Sequence, residues 1–139
     1  MLDRIMRSSN FDYMTRGLEA ATLRHEVISN NLANVNTPKF KRSSVQFEDI
    51  LAKEIMPDEK YPPIALTHDK HIKPGYPKKR AVATIELEKD DTMRVDGNNV
   101  DIDMEMANLA KNQLYYNALV TQLKGHIRKI KEVITSGQS

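Results

Sequence analysis

His68 and His71, three residues apart with Asp69 between them, are the residues whose type and spacing come nearest to a metal site. Zinc needs several converging ligands, and the helical HExxH arrangement is missing. Both histidines also fall in a stretch flanked by Pro63 and Pro74, so ordinary surface histidines are expected. The run Asp96-Gly97-Asn98-Asn99-Val100-Asp101-Ile102-Asp103 has a calcium-loop look. In an EF-hand, ligands one, three and five precede the glycine at six. Counting back from Gly97 gives Thr92, Arg94 and Asp96, and an arginine in the cage is disqualifying. A turn leading into a helix N-terminus accounts for this run better.

The sequence has no glycine-rich phosphate loop, no G-x-S-x-G elbow and no cysteine. Its many carboxylates lie in charge-dense stretches, without the apolar surroundings that raise a carboxyl pKa for acid catalysis. Catalytic, cofactor-binding and metal sites are therefore all expected to be absent, and the chain is not expected to be an enzyme.

The elements that would position such groups are better marked. Phe11, Met14, Leu18, Ala21, His25, Ile28, Leu32 and Val35 recur at alternating spacings of three and four. Met106, Leu109, Gln113, Tyr116, Val120, Leu123, Ile127, Ile130 and Ile134 do the same near the other end. That alternation lays one narrow stripe along an α-helix, a seam suited to a second helix. The first helix is expected to start near Ser8 to Asn10, with Ser9 as N-cap and Asp12 in its first turn. It should stop at Asn34, Asn36, Thr37 and Pro38, because proline disfavours α-geometry in the residue before it. Asp101, Asp103 and Glu105 open the C-terminal helix, Lys124, Arg128, Lys129 and Lys131 gather toward its end, and Gly137 is its stop.

Between these seams, Ser43 and Gln46 have capping-box spacing ahead of a short helix carrying Phe47, Ile50, Leu51 and Ile55. Pro57, Pro62, Pro63, Pro74, Gly75 and Pro77 then predict an extended loop. Ala81 to Glu88 alternates as a half-buried strand, with Thr92 to Val95 as its return. The expected fold is mainly α: two long terminal helices pairing as an antiparallel coiled-coil-like stalk, with a small irregular β-hairpin middle. The organisation is 1–38, N-terminal helix; 39–100, middle region; 101–139, C-terminal helix.

In an antiparallel stalk Val35 falls near Met106 and Phe11 near Ile130. His25 then faces Gln113 or Tyr116, a polar contact that would fix register inside the seam. The same alignment sets Gly17 opposite Gly125.

Composition agrees with a stalk. The chain has 139 residues, 40% hydrophobic and 6% aromatic, with no Trp, which argues against a large globular core. No apolar run approaches the roughly 20 residues that span a bilayer, and the first residues lack the apolar block of a secretory signal peptide. The formal net charge of +2 hides blocks. Residues 60–80 carry Lys60, Lys70, Lys73, Lys78, Lys79 and Arg80 against Asp69, and residues 86–105 are acidic. The basic block supports an alternative, a nucleic-acid-binding coiled coil, whose affinity would fall steeply with salt. A membrane-surface helix fits less well, since the N-terminal seam is narrow and its polar face mixed in sign.

Asn30-Asn31-Leu32-Ala33-Asn34-Val35-Asn36-Thr37-Pro38 resembles the N-terminal signature of the bacterial flagellar rod and hook axial proteins. Phe40-Lys41-Arg42, Phe47-Glu48-Asp49-Ile50-Leu51 and the run from Asp96 to Met106, with Asp96, Gly97, Asn98, Val100 and Asp101, narrow the resemblance to the proximal rod type. Leu109-Ala110 and Asn112-Gln113-Leu114 continue it. The sequence departs at Lys39, where many members have Gly after the proline.

The resemblance implies a structural subunit of the basal-body rod, the drive shaft crossing the periplasm. Such a subunit leaves the cytoplasm by flagellar type III export without a cleaved signal peptide. It implies as partners other copies of the chain, other proximal rod subunits, the rod-base adaptor and MS-ring junction, and the export gate. It implies no cofactor, small-molecule substrate, nucleic acid or membrane insertion.

Overall fold

The structure, a computed structural model, describes residues 9–56, 80–88 and 97–136. Its elements are α1 (Ser9–Ala33), β1 (Ser43–Gln46), α2 (Glu48–Ile55), β2 (Thr84–Leu87) and α3 (Ile102–Ser136). At 1.5 Å per residue the two long helices measure about 37 and 52 Å. They run antiparallel: Asn31 meets Glu105, the Ala21 carbonyl meets Asn112, Gly17 meets Leu119, and Phe11 meets His126.

α1 serves two neighbours because its middle is built of small residues. Ala20 and Ala21 are both fully buried. A Cβ added at Gly17 would sit 3.1 Å from Leu119 Cδ1 and 3.6 Å from the Tyr115 hydroxyl, so the missing side chain lets α3 approach closely. The opposite side of α1 packs on the hydrophobic core, where Ala20, Phe47 and Ala81 gather with Ile50, Leu51 and Ala83. The apolar core therefore lies between α1 and the middle region, not in the stalk seam.

Three local expectations change. Ser43 to Gln46 is a strand, not a capping box, and α2 starts at Glu48 with no side-chain cap. The reason is tertiary: Asn31 takes both backbone groups of Ser43, accepting from its N–H at 3.0 Å and donating to its carbonyl at 2.8 Å. β2 pairs antiparallel with β1, Ser43 opposite Leu87 and Val45 opposite Ile85. The segment is not half-buried along its length. Ala81 is fully buried, but every residue from Thr84 to Leu87 is exposed, Ile85 and Leu87 included. The return strand at 92–95, the proline-rich stretch 57–79 with His68 and His71, Asp96 and Gly137 all lie outside the described residues.

Candidate assembly surface and the junction behind it

Two clusters of polar side chains position the stalk. In the first, Glu105 is fully buried at the start of α3. Its carboxylate accepts from Arg42 Nε at 2.7 Å and from Asn31 Nδ2 at 3.0 Å. Arg42 also pairs with Glu88, and its backbone N–H donates to Asn99 Oδ1 at 2.6 Å. Asn98, fully buried, aims its amide nitrogen at the carbonyls of Asn34, Val35 and Thr37 at 2.9 to 3.0 Å. Its Oδ1 accepts from the Val100 N–H at 2.8 Å. Asp101 then caps α3, accepting from the N–H groups of Asp103 and Met104. The turn that ends α1 is thus read, carbonyl by carbonyl, by the loop that begins α3. Two sequence runs some sixty residues apart form one junction.

Lys39 sits in the same junction with φ at 63°, in the left-handed region, facing Gly97 at φ 76°. That conformation costs a non-glycine residue about 1 kcal/mol. It explains physically why glycine suits the place after the proline.

The second cluster locks α1 to α2. Arg16, 6% exposed, makes two hydrogen bonds to Glu54 at 2.7 and 3.1 Å, one to the Ala81 carbonyl at 2.9 Å, and an ion pair with Asp12. Its guanidinium also lies 5.1 Å from the Tyr13 ring centroid. Glu54 in turn accepts from the Ala81 N–H at 2.6 Å. The hydrogen bonds from Arg16 hold the Glu54 carboxyl below the usual glutamate range against an opposing effect of burial, and the Arg16 guanidinium is held correspondingly higher. Burial likewise pushes the Tyr115 hydroxyl up.

The expected seams are only partly the surfaces that meet. Along the first seam, Ala21, Ile28 and, in the turn after α1, Val35 are buried, Phe11, Met14, Leu18 and Leu32 partly so, and His25 is exposed. On α3, Leu109, Val120, Leu123 and Ile130 are partly buried, but Met106, Gln113, Tyr116, Ile127 and Ile134 are exposed. The residues that face α1 are Glu105, Asn112, Tyr115, Leu119 and His126. They repeat the three-four spacing one residue earlier, which turns the contacting face by roughly 100°. Phe11 consequently meets His126 rather than Ile130, with ring centroids 6.4 Å apart.

The polar pin inside the stalk is Asn112, whose Nδ2 donates to the Ala21 carbonyl at 2.8 Å. His25 shares a cleft with Gln113 and Tyr116, as the antiparallel register requires, but makes no hydrogen bond to Gln113. Gly17 faces Leu119, and Gly125 has nothing within 4 Å of an added Cβ, so the two glycines do not meet.

Among the signature residues, Asn31, Asn98 and Val100 are buried, and Leu32, Asn34 and Gly97 partly so. Asn30, Ala33, Asn36, Thr37, Pro38 and Asp101 are exposed. Sequence reasoning missed Arg16, Glu54, Asn112 and the role of Glu105. The available signal was polar residues placed beside apolar positions at helical spacing. Among the described residues no cluster of His, Asp or Glu is arranged to hold a metal, and no helix is long and apolar enough to cross a membrane.

What remains on α3 is a half-exposed stripe, with Tyr116 at its edge beside α1. Met106 is 49% exposed, Tyr116 40%, Ile127 50% and Ile134 46%, all on the face beside the one α1 covers. Large apolar residues exposed in a row mark a contact surface.

The family model for flagella basal body rod proteins matches residues 13–41, which run through α1 into the junction. The flagellar basal body rod protein FlgB of Bacillus subtilis is 32% identical over 131 residues, 94% of this chain and 97% of the relative. The chain belongs to the FlgB family of flagellar basal body rod proteins. The FlgB of Borreliella burgdorferi is 36% identical over 128 residues, 88% of this chain and 93% of its own. That of Escherichia coli is 29% identical over 140 residues, covering 99% of each. Because these matches span nearly whole chains, the FlgB likeness embraces the stalk, both halves of the junction and the middle region together.

Proposed function

We propose that the chain is a structural subunit of the proximal rod of the bacterial flagellar basal body. It packs with its own copies and with other rod subunits into a helical tube that transmits torque. The observation that carries this reading, beside the family, is the stripe Met106, Tyr116, Ile127 and Ile134, left open on a stalk whose internal contact uses the neighbouring face. A subunit that keeps its apolar stripe free while its register is set by Asn112 and Glu105 is ready for a neighbour. Head-to-tail contacts whose rotation does not close generate such a tube.

The same reading assigns as further partners the rod-base adaptor at the MS-ring junction and the export gate. It places the assembled subunit in the periplasmic part of the basal body after export without a cleaved signal peptide. It makes the chain a structural protein rather than an enzyme. Nothing favours the nucleic-acid alternative, whose basic segment 60–80 lies almost wholly outside the described residues.

The test is complementation of a strain lacking the chain. Wild-type restores swimming; Tyr116→Asp and Ile127→Asp are exported and helical by circular dichroism, yet build no rod. Unimpaired swimming with both substitutions together would sink the proposal.

A further inference from the structure

α3 outlasts the helix it pairs with. Phe11, in the first turn of α1, meets His126, and α3 runs on from there to Ser136, about 15 Å of helix. Along this end Ile127 is 50% exposed, Val133 71% and Ile134 46%, and Ile130 is partly buried. At about 100° per residue, Val133, Ile130, Ile134 and Ile127 fall within one arc of roughly 120°. Lys129 borders that arc on one side, and Lys131, Lys124 and Arg128 border it on the other. Glu132 lies on the far side of the helix.

These charges are not employed within the subunit. Lys124, Arg128, Lys129, Lys131 and Glu132 make no ion pair with any described residue. The helix macrodipole does not account for the cations either, because it fades within the last turn, and the last turn of α3 holds no basic residue. An apolar arc edged by cations, with its acid turned away, is the layout of a helix that lies in a bilayer–water interface without spanning it. The lysine and arginine stems run along the apolar surface while their charges reach lipid phosphates. A nucleic acid would engage the cations and leave Ile127, Val133 and Ile134 in water, whereas an anionic bilayer engages both. We infer that the end of α3 from Lys124 to Ser136 is a docking surface for an anionic lipid bilayer in the free subunit.

The contact is peripheral and reversible. Each cation near an anionic surface strengthens partitioning roughly fivefold, and the apolar arc adds the area it buries. It does not rest on the rod-subunit reading, but it competes with rod packing, since a neighbour seated on the stripe takes Ile127 and Ile134 from lipid. A bilayer thus holds the free subunit at its surface until packing releases it.

The test is sedimentation of the purified full chain with vesicles of equal parts phosphatidylglycerol and phosphatidylcholine, against phosphatidylcholine alone. The chain is expected to bind the anionic vesicles and to bind the neutral ones roughly tenfold more weakly or worse. The same loss is expected on anionic vesicles for the chain carrying Lys124→Gln, Arg128→Gln and Lys131→Gln, and for the chain carrying Ile127→Ser and Val133→Ser. All five positions are exposed, so both variants should keep the helix content and urea midpoint of the wild-type. No binding to anionic vesicles overturns the proposal. Binding that the three glutamines weaken but the two serines leave unchanged identifies a soluble polyanion such as nucleic acid, and overturns it too. So does binding lost on Leu2→Ser, Ile5→Ser and Met6→Ser but kept in both α3 variants, because the contact then belongs to the N-terminal segment. Failure of the rod reading looks different: a strain lacking the chain would still swim, whatever the vesicles show.

Discussion

Where α1 turns into the middle region, Glu105 is fully buried between Arg42 and Asn31, and Asn98 reads three carbonyls of the turn. At the far end of the stalk, Phe11 and His126 meet through rings 6.4 Å apart, and beyond them α3 exposes Ile127, Val133 and Ile134. The first region satisfies its polar groups internally and specifies one geometry. The second leaves its apolar groups unsatisfied and accepts whatever covers them. Buried hydrogen-bonded networks are directional, so they set a register; exposed apolar stripes are not, so they supply area. A subunit that must arrive individually and then join a larger assembly gains from keeping these roles apart.

The contrast breaks most visibly at Glu105. Glu105→Ala leaves Arg42 and Asn31 with orphaned groups in a buried site and is expected to cost about 3–5 kcal/mol in urea melts. Ile134→Ala, removing a half-exposed side chain from the far end, is expected to stay within about 1 kcal/mol. Equal losses at the two positions would erase the distinction.

Glu54 gives the next largest effect and a pH signature. Its carboxyl is held below the ordinary glutamate value by Arg16, so the unfolded chain takes up the proton first. The stabilisation is fully present above about pH 4.3 and is lost as pH falls through the folded-state value. Glu54→Gln is expected to cost about 2 kcal/mol at pH 7, and its deficit against wild-type should shrink steadily on acidification below pH 4. A deficit that does not change with pH would remove the ion pair from the explanation.

Lys39 is a smaller defect in the otherwise well-satisfied junction. With φ at 63° the backbone already has the conformation glycine favours. Relief of that strain, less the added freedom of the unfolded chain, should make Lys39→Gly more stable by roughly 0.5–1 kcal/mol. A lower urea midpoint for the glycine variant would mean that the Lys39 side chain holds the turn in a way its backbone angle does not reveal.

Much of this was legible from residue order alone. The two stripes, the stop at Asn34 to Pro38 and the turn before Asp101 follow from local rules, and they yielded the antiparallel pairing of α1 with α3. The rotation of α3 was not legible, because an amphipathic pattern ranks faces by hydrophobicity. Here the face turned inward is the more polar one, chosen by Asn112 and Glu105 reaching partners on distant elements. Ser43 failed for a similar reason: its backbone is claimed by Asn31, a partner that capping-box spacing does not include. The Arg16–Glu54 pair spans 38 positions and leaves no periodic trace. Local patterns report propensity, whereas these choices were made by tertiary hydrogen bonds.

Gly17 and Gly125 carry the comparison down to its smallest effect. Both sit inside long helices, where glycine costs about 0.8–1 kcal/mol relative to alanine. At Gly125 nothing lies within 4 Å of an added Cβ, so Gly125→Ala should recover most of that amount in the purified chain. At Gly17 the Cβ would meet Leu119 Cδ1 at 3.1 Å, so the gain in helix propensity is offset by displacing a packed side chain, and the net change should be near zero. The informative outcome is the joint one. If Gly125→Ala raises the urea midpoint of the monomer yet blocks rod formation, the space beside Gly125 is where a neighbouring helix comes closest. If it raises the midpoint and leaves swimming unchanged, the neighbour's closest approach lies elsewhere along the exposed stripe.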